Sequence, residues 1–437
     1  MKSQFLRHSL KVYATQLAQT VLVVFIAIGT ARLLGPTNKG VFSILVLIPM
    51  MVVSLGRCGL GNAVIYFCGR KPATAVVFNG FLLIGMIGMV SALLLLPAVF
   101  AFKHSLLRDI PGAGLIWTIA MVPVFYFYDF FASSFVAVMQ IQRRNLLVLL
   151  YPTCQLILLV MTVAVLRKGL AGALFSLSVA LMLGVGWSIS MLKGGAEINL
   201  LKVDRALMKQ MVRFGLKSHL GGVMEMLNYR ADFFLVNLFL GPAAVGFYSV
   251  AVNLAEIVWR FPEAVVLVLM PKVTRMNAEQ ARAFTPRICR LILLPVLMIC
   301  LALLFLGRFI ILLFFSRSFL PAVYPLFFLL PGLIAFAIWK ILAGDLVAQG
   351  HVFIYSFTSA AAFAAMIVFD LWLIPAWGIA GAAVASSIAY LFATALIIVM
   401  YRKLTGIRLG DLLVPKKDDF RLLREILGHG SGQGQEG

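Results

Sequence analysis

Arg57 stands in "VVSLGRCGLGNAVIYF", an apolar stretch with Gly56, Gly59 and Gly61 beside it and no acid three or four residues to either side. Its planar guanidinium can hold a phosphate or carboxylate through two parallel hydrogen bonds, a geometry lysine lacks. Arg230, Arg260 and Lys340 lie in comparable apolar runs, as do Asp129, Glu225, Asp232, Glu256, Glu263, Asp345 and Asp370. Two chemistries suit such a set. The cations can receive an anionic ligand, and the carboxylates can carry a proton or a sodium ion. Tyr126, in "YFYD", offers an aromatic face to a sugar ring.

Spacing pairs some of these groups. Glu256 and Arg260 are four apart on one helix face, within ion-pair reach, and Glu263 follows a turn later past Pro262. Glu225, Asn228 and Asp232 share a face, while Arg230 points elsewhere and needs a partner on another helix. Asp345 and Gln349 are four apart. Asp370 lies near one end of its apolar run, within reach of water.

Long apolar segments must position these residues. The 437 residues are 62% hydrophobic and 12% charged, with mean hydropathy +1.03. Soluble domains are about half apolar and a quarter charged. A helix of about 20 apolar residues crosses a bilayer core, and the alternation that a barrel needs is absent. The pattern predicts an all-α polytopic membrane protein of about twelve spans, near 10–34, 41–67, 74–101, 114–139, 146–166, 170–192, 211–239, 245–270, 288–313, 322–349, 354–374 and 378–400. The first is read as a retained signal anchor, being long and without a cleavage site. An ionisable group at a helix centre costs about 2.5–3.5 kcal/mol. The embedded charges should therefore face an aqueous lumen or one another.

Basic residues orient the chain. With the N-terminus in the cytoplasm, the loops on that side and both termini hold 25 of the 37 Lys and Arg residues, and the opposite loops hold 8. The net charge of +21 is thus a topology signal and argues against a nucleic-acid partner. The five cysteines, Cys58, Cys68, Cys154, Cys289 and Cys300, form no CxxC pair and read as small apolar residues.

The sequence repeats. "LLGPTNKGVFSILVLI" from Leu33 matches "FLGPAAVGFYSVAVNL" from Phe239, and "GLAGALFSLSVAL" from Gly169 matches "GIAGAAVASSIAY" from Gly378. Glycine ends a helix and proline cannot continue one, so Leu-Gly-Pro marks a short turn between spans. Two matches in nearly constant register predict two six-helix halves in a parallel repeat. The expected divisions are an N-terminal lobe over 1–200, a C-terminal lobe over 201–401 and a cytoplasmic tail over 402–437. In this register Arg57 aligns with Glu263, its first expected partner.

"ARLLGPTNKGVFSI", "SLGRCGLGNAVIYF", "YRADFFLVNLFLGPAAVGFYSVAVNLAEIVWRFPEAVVLVLMPKVT" and "LIPAWGIAGAAVASSIAYL" resemble the polysaccharide transporter, or oligosaccharide flippase, family. This family belongs to the superfamily that also holds lipid II flippases and multidrug and toxin extrusion antiporters. The resemblance covers roughly residues 10–400 and rests on structural motifs. It implies two V-shaped lobes around a central cavity. It also implies movement of undecaprenyl-linked sugars from the cytoplasmic leaflet to the outer one, in a bacterial inner membrane. Many lipid II flippases have two extra C-terminal spans, so twelve spans favour an oligosaccharide carrier.

A pyrophosphate-linked cargo needs cationic contacts. Arg57, Arg230, Arg260 and Lys340, with Asp129 and Tyr126, are the candidate substrate-binding residues, and Glu225, Asp232 and Asp345 the candidate ion-coupling acids. Besides the lipid-linked oligosaccharide and membrane lipid, polysaccharide polymerase and chain-length proteins are candidate partners. No phosphate-binding loop, nucleophile elbow or metal-ligand spacing occurs in the sequence, so neither an enzyme nor a cofactor is expected. The alternative is a proton- or sodium-coupled exporter of small organic cations using the embedded acids. A glycosyltransferase or polymerase of lipid-linked sugars is a third class, opposed by the lack of a sizeable outer loop.

Overall fold

The computed structural model describes residues 2–193, 202–273, 276 and 278–413, and among them it is helical without strands. The expected surface helix around Phe420, Leu423 and Leu427 lies outside these residues. Its contacts divide the chain into two compact units. Unit 1 comprises Met1–Val250 with Leu312–Leu320, and unit 2 comprises Ala251–Ile311 with Pro321–Gly437.

Unit 1 contains α1 (Lys2–Gly56), α2 (Leu60–Cys68), α3 (Ala73–Phe102), α4 (Gly112–Ala137), α5 (Ile141–Leu159), α6 (Gly169–Lys193), α7 (Arg205–Arg230), α8 (Asp232–Leu240) and the start of α9 (Pro242–Val273). α1 is two helices joined across Gly35, whose φ of 71° is open to glycine and strained for other residues. The matching Gly241, with φ 80°, separates α8 from α9. The second repeated motif agrees as well: Gly169 and Gly378, with φ 53° and 62°, stand at the starts of the last long helices of the two halves. The core of the unit packs Tyr126, Phe130, Phe131 and Phe135 of α4 against Val53, Leu60, Val64, Ile84, Leu147 and Met211.

This unit runs past the lobe boundary expected at 200, because α7 and the start of α9 pack on its first helices. A Cβ on Gly59 would collide with the backbone of Gly215 in α7, and one on Gly215 with the carbonyl of Cys58. The two Leu-Gly-Pro turns meet in the same manner. Gly40 lies on the Pro242 carbonyl, and Gly246 on the Pro36 carbonyl. The segment 312–320 joins through Arg32, whose Nε donates to the Phe314 carbonyl at 2.7 Å and whose Nη2 donates to that of Leu313. Phe319 also meets Phe247, with ring centroids 6.0 Å apart.

Unit 2 contains the rest of α9, then α10 (Ala278–Ile310), α11 (Val323–Ala348), α12 (Val352–Trp377), α13 (Ile379–Thr405) and α14 (Leu409–Leu413). Its core is a stack in which Phe336 lies 4.9 Å from Trp339 and 4.5 Å from Tyr390. The Trp339 indole N–H is satisfied by Thr358 Oγ1 at 3.2 Å.

Among the described residues, ten helices are long and apolar enough to cross a membrane. The first, Thr15–Gly56, has 42 residues. It would span roughly 63 Å if straight, twice a bilayer core. Bent at Gly35, it carries two of the expected crossings. The expected span 211–239 does not qualify, because the helix is interrupted at Ala231 and α7 is polar.

Candidate functional site

The expected second span does not run straight through. α1 ends at Gly56, Cys58 and Gly59 both have positive φ (48° and 66°), and α2 starts at Leu60. Arg57 therefore sits on a break inside an apolar span. Its amide makes the last helical bond, to the Val53 carbonyl at 2.9 Å, and its carbonyl accepts from Leu60 at 2.8 Å. In an unbroken helix the Leu55 carbonyl would accept from the amide of Gly59. Here it faces Nε2 of His219 on α7 at 3.0 Å. A hydroxyl braces the other side: Tyr126 donates to the Val52 carbonyl at 2.8 Å and lies 3.0 Å from Ser91 Oγ. Gly56 leaves room for that hydroxyl, since a Cβ there would collide with it. Such discontinuous helices let backbone and charge face a ligand at membrane depth.

The guanidinium of Arg57 meets Asp129, one turn beyond Tyr126 on α4, with Nη1 3.5 Å from Oδ1. The two side chains are 41% and 36% exposed. This is a long, solvated pair that leaves most of the five guanidinium donors without a protein acceptor among the described residues. The acid beside Arg57 is thus Asp129, and not Glu263 as the repeat register suggests. Glu263 accepts from Lys340 Nζ at 2.8 Å, an ion pair within unit 2.

The remaining candidates are dispersed. Tyr126 is fully buried, with its ring in the α4 core, and serves here as a brace. Lys340 carries its ammonium 5.6 Å from the Phe336 ring. Arg230 ends α7 with its guanidinium 5.9 Å from the Phe233 ring. Arg260 is half-buried on α9, three residues before Glu263. Glu225 accepts from the Tyr229 hydroxyl at 2.5 Å. Asp232 is 3% exposed and accepts from the Tyr248 hydroxyl at 2.5 Å and from the neighbouring Phe233 amide at 2.9 Å. Asp345 is fully buried and accepts from Thr285 at 2.8 Å, Gln349 at 2.7 Å and Tyr401 at 2.8 Å. Asp370 is fully buried too, so its expected contact with water is not made. The sequence reading missed the His219 brace. The glycines at 56, 59 and 61 lower helix stability and admit a bend or close packing, and the helix breaks among them.

The profile of a family described as "polysaccharide biosynthesis protein" matches residues 30–324. The chain belongs to this family. No curated protein matches the sequence. Among solved structures, this polysaccharide biosynthesis family member is similar to an inward-facing multidrug resistance MATE family transporter of the MOP superfamily. That match has 14% identity and TM-score 0.73, and covers 89% of this chain and 94% of the other. It is similar to the lipid II flippase MurJ at 14% identity and TM-score 0.73, over 99% and 94% of the two chains. A MOP superfamily transporter from Pyrococcus furiosus matches at 14% identity and TM-score 0.65, over 92% and 95%. At these identities the likeness is one of fold. The family member is a multi-pass membrane protein of polysaccharide biosynthesis with the fold of MOP superfamily transporters.

Proposed function

We propose that this protein is a flippase that moves an anionic, undecaprenyl-pyrophosphate-linked oligosaccharide from the cytoplasmic to the outer leaflet of the bacterial inner membrane, by alternating access. The observation that carries the reading is Arg57: an arginine at the break of an apolar span, half-exposed, with donors to spare. A guanidinium held this way can take a phosphate by two hydrogen bonds. The Asp129 contact holds the group in place when no anion is bound. Energetics favour outward movement. A potential negative inside contributes about 2.3 kcal/mol per charge per 100 mV, so two negative charges gain roughly 4–5 kcal/mol.

The test substitutes Arg57 and measures membrane abundance together with surface polysaccharide in cells that rely on the variant. Arg57→Ala is expected to insert normally and abolish transport, and Arg57→Lys to keep part of it. Normal polysaccharide from Arg57→Ala at equal abundance would defeat the reading. Loss of abundance would assign Arg57 a structural role instead.

The half-exposed carboxylate of Asp129 supports a second reading, a proton- or sodium-coupled exporter of small organic cations. Flux of labelled lipid-linked sugar and of an organic cation, compared in the same proteoliposomes, separates the two. Under the flippase reading only the former moves.

A further inference from the structure

Lys39, on the first helical turn after the Gly35 kink of α1, is 5% exposed. Its Nζ donates to Thr30 Oγ1 at 2.8 Å, and that hydroxyl donates onward to the Ile26 carbonyl at 2.7 Å. The Phe42 ring lies 5.8 Å from the ammonium. No carboxylate among the described residues is within ion-pair distance of it. An ammonium has three donors, and the described protein groups occupy one. Burying a cation against a single neutral acceptor is costly, and a methionine would fill much the same space without that cost. Among the described residues, two of the ammonium's donors remain to hold an anion.

Its position says which anion. Between Lys39 and Arg57 the helix rises roughly 27 Å at 1.5 Å per residue. Lys39 stands near the membrane face where the apolar run begins, and Arg57 well inside the membrane, with α2 continuing the run beyond it. Gly40, the next residue, lies on the Pro242 carbonyl, so the turn that carries Lys39 is closed against the start of α9. We propose that Lys39 is a second cationic station for the phosphate of the transported lipid, meeting the head group near the membrane face, roughly 27 Å along the helix from Arg57, when that turn parts from α9. The proposal rests on the flippase reading and extends it to a residue that reading does not use.

The experiment has two arms. In the first, wild-type protein in phosphatidylcholine vesicles is treated with a membrane-impermeant amine-acylating ester, and modification of Lys39 is followed by mass spectrometry. Millimolar inorganic pyrophosphate is expected to slow it severalfold, and chloride of equal ionic strength is not. Equal slowing by chloride, or no acylation of Lys39 under any condition, overturns the proposal. So does slowing by phosphatidylglycerol in the vesicles but not by pyrophosphate, which would assign the site to bilayer head groups. In the second arm, Lys39→Met is expected to keep wild-type abundance and Tm but to transport lipid-linked sugar about tenfold more slowly, the loss of one charge-assisted hydrogen bond. Lys39→Arg is expected to retain most transport, and full transport by Lys39→Met overturns the proposal. If Lys39→Met is not recovered from the membrane, pyrophosphate protection of the wild type decides. If Arg57→Ala transports normally while pyrophosphate still protects Lys39, the flippase reading fails at Arg57 and the Lys39 anion site stands.

Discussion

Two aspartates show how differently an acid can live inside one membrane protein. Asp345 is fully buried and holds three donors from α10, α11 and α13. Asp129 is 36% exposed and holds one distant guanidinium. The first arrangement organises a core. The second leaves capacity for something else. Asp345→Ala strands three buried donors, and we expect it to lower stability by about 3 kcal/mol. A fall in Tm and in membrane abundance should appear, with transport per surviving molecule unchanged. A variant of normal Tm and abundance would show that the three donors find other partners. The sequence announced all of these charges, because an ionisable residue stands out in an apolar run whatever its partner. It could not announce the pairings. Arg57 and Asp129 meet across 72 residues, and Lys340 and Glu263 across 77. Such distances are closed by helix packing and not by helical spacing.

At the scale of elements, the break between α1 and α2 is the feature that matters for Arg57. It is fixed by Gly59 in a left-handed conformation, by the close approach of Gly59 to Gly215, and by His219 on the Leu55 carbonyl. Gly59→Ala would force a side chain into a positive-φ position, at about 1–2 kcal/mol, and against the α7 backbone as well. We expect it to lower Tm and transport together, unlike Arg57→Ala, which should spare Tm. Wild-type transport from Gly59→Ala would mean that α7 yields at this crossing. The repeated Leu-Gly-Pro motif was legible as a helix stop, and the positive φ of Gly35 and Gly241 agrees with that reading. The division of the expected span 211–239 at Ala231 was not legible. A helix that pairs its polar groups, as Glu225 does with Tyr229, needs less apolar surface than a hydropathy pattern demands.

At the scale of the whole molecule, the bias of basic residues predicts that both termini are cytoplasmic, which topology reporters can check. Fusions at Lys103 and Arg317 should report the outer side, and fusions at Lys71 and Arg144 the cytoplasm. Cytoplasmic signals from both Lys103 and Arg317 would invert the assignment. The number of crossings was hard to read from helix lengths alone, because Gly35 joins two of them into one helical run of 42 residues. The reciprocal seating of Gly40 on Pro242 and of Gly246 on Pro36 has a consequence for how such a chain arises. Each turn is both the bump and the socket. A half-length ancestor carrying one such turn would have met a second copy of itself in this way, about a twofold axis. Fusing two copies turns a dimer contact into an internal one, and from then on neither copy of the motif can enlarge its glycine without colliding with its twin.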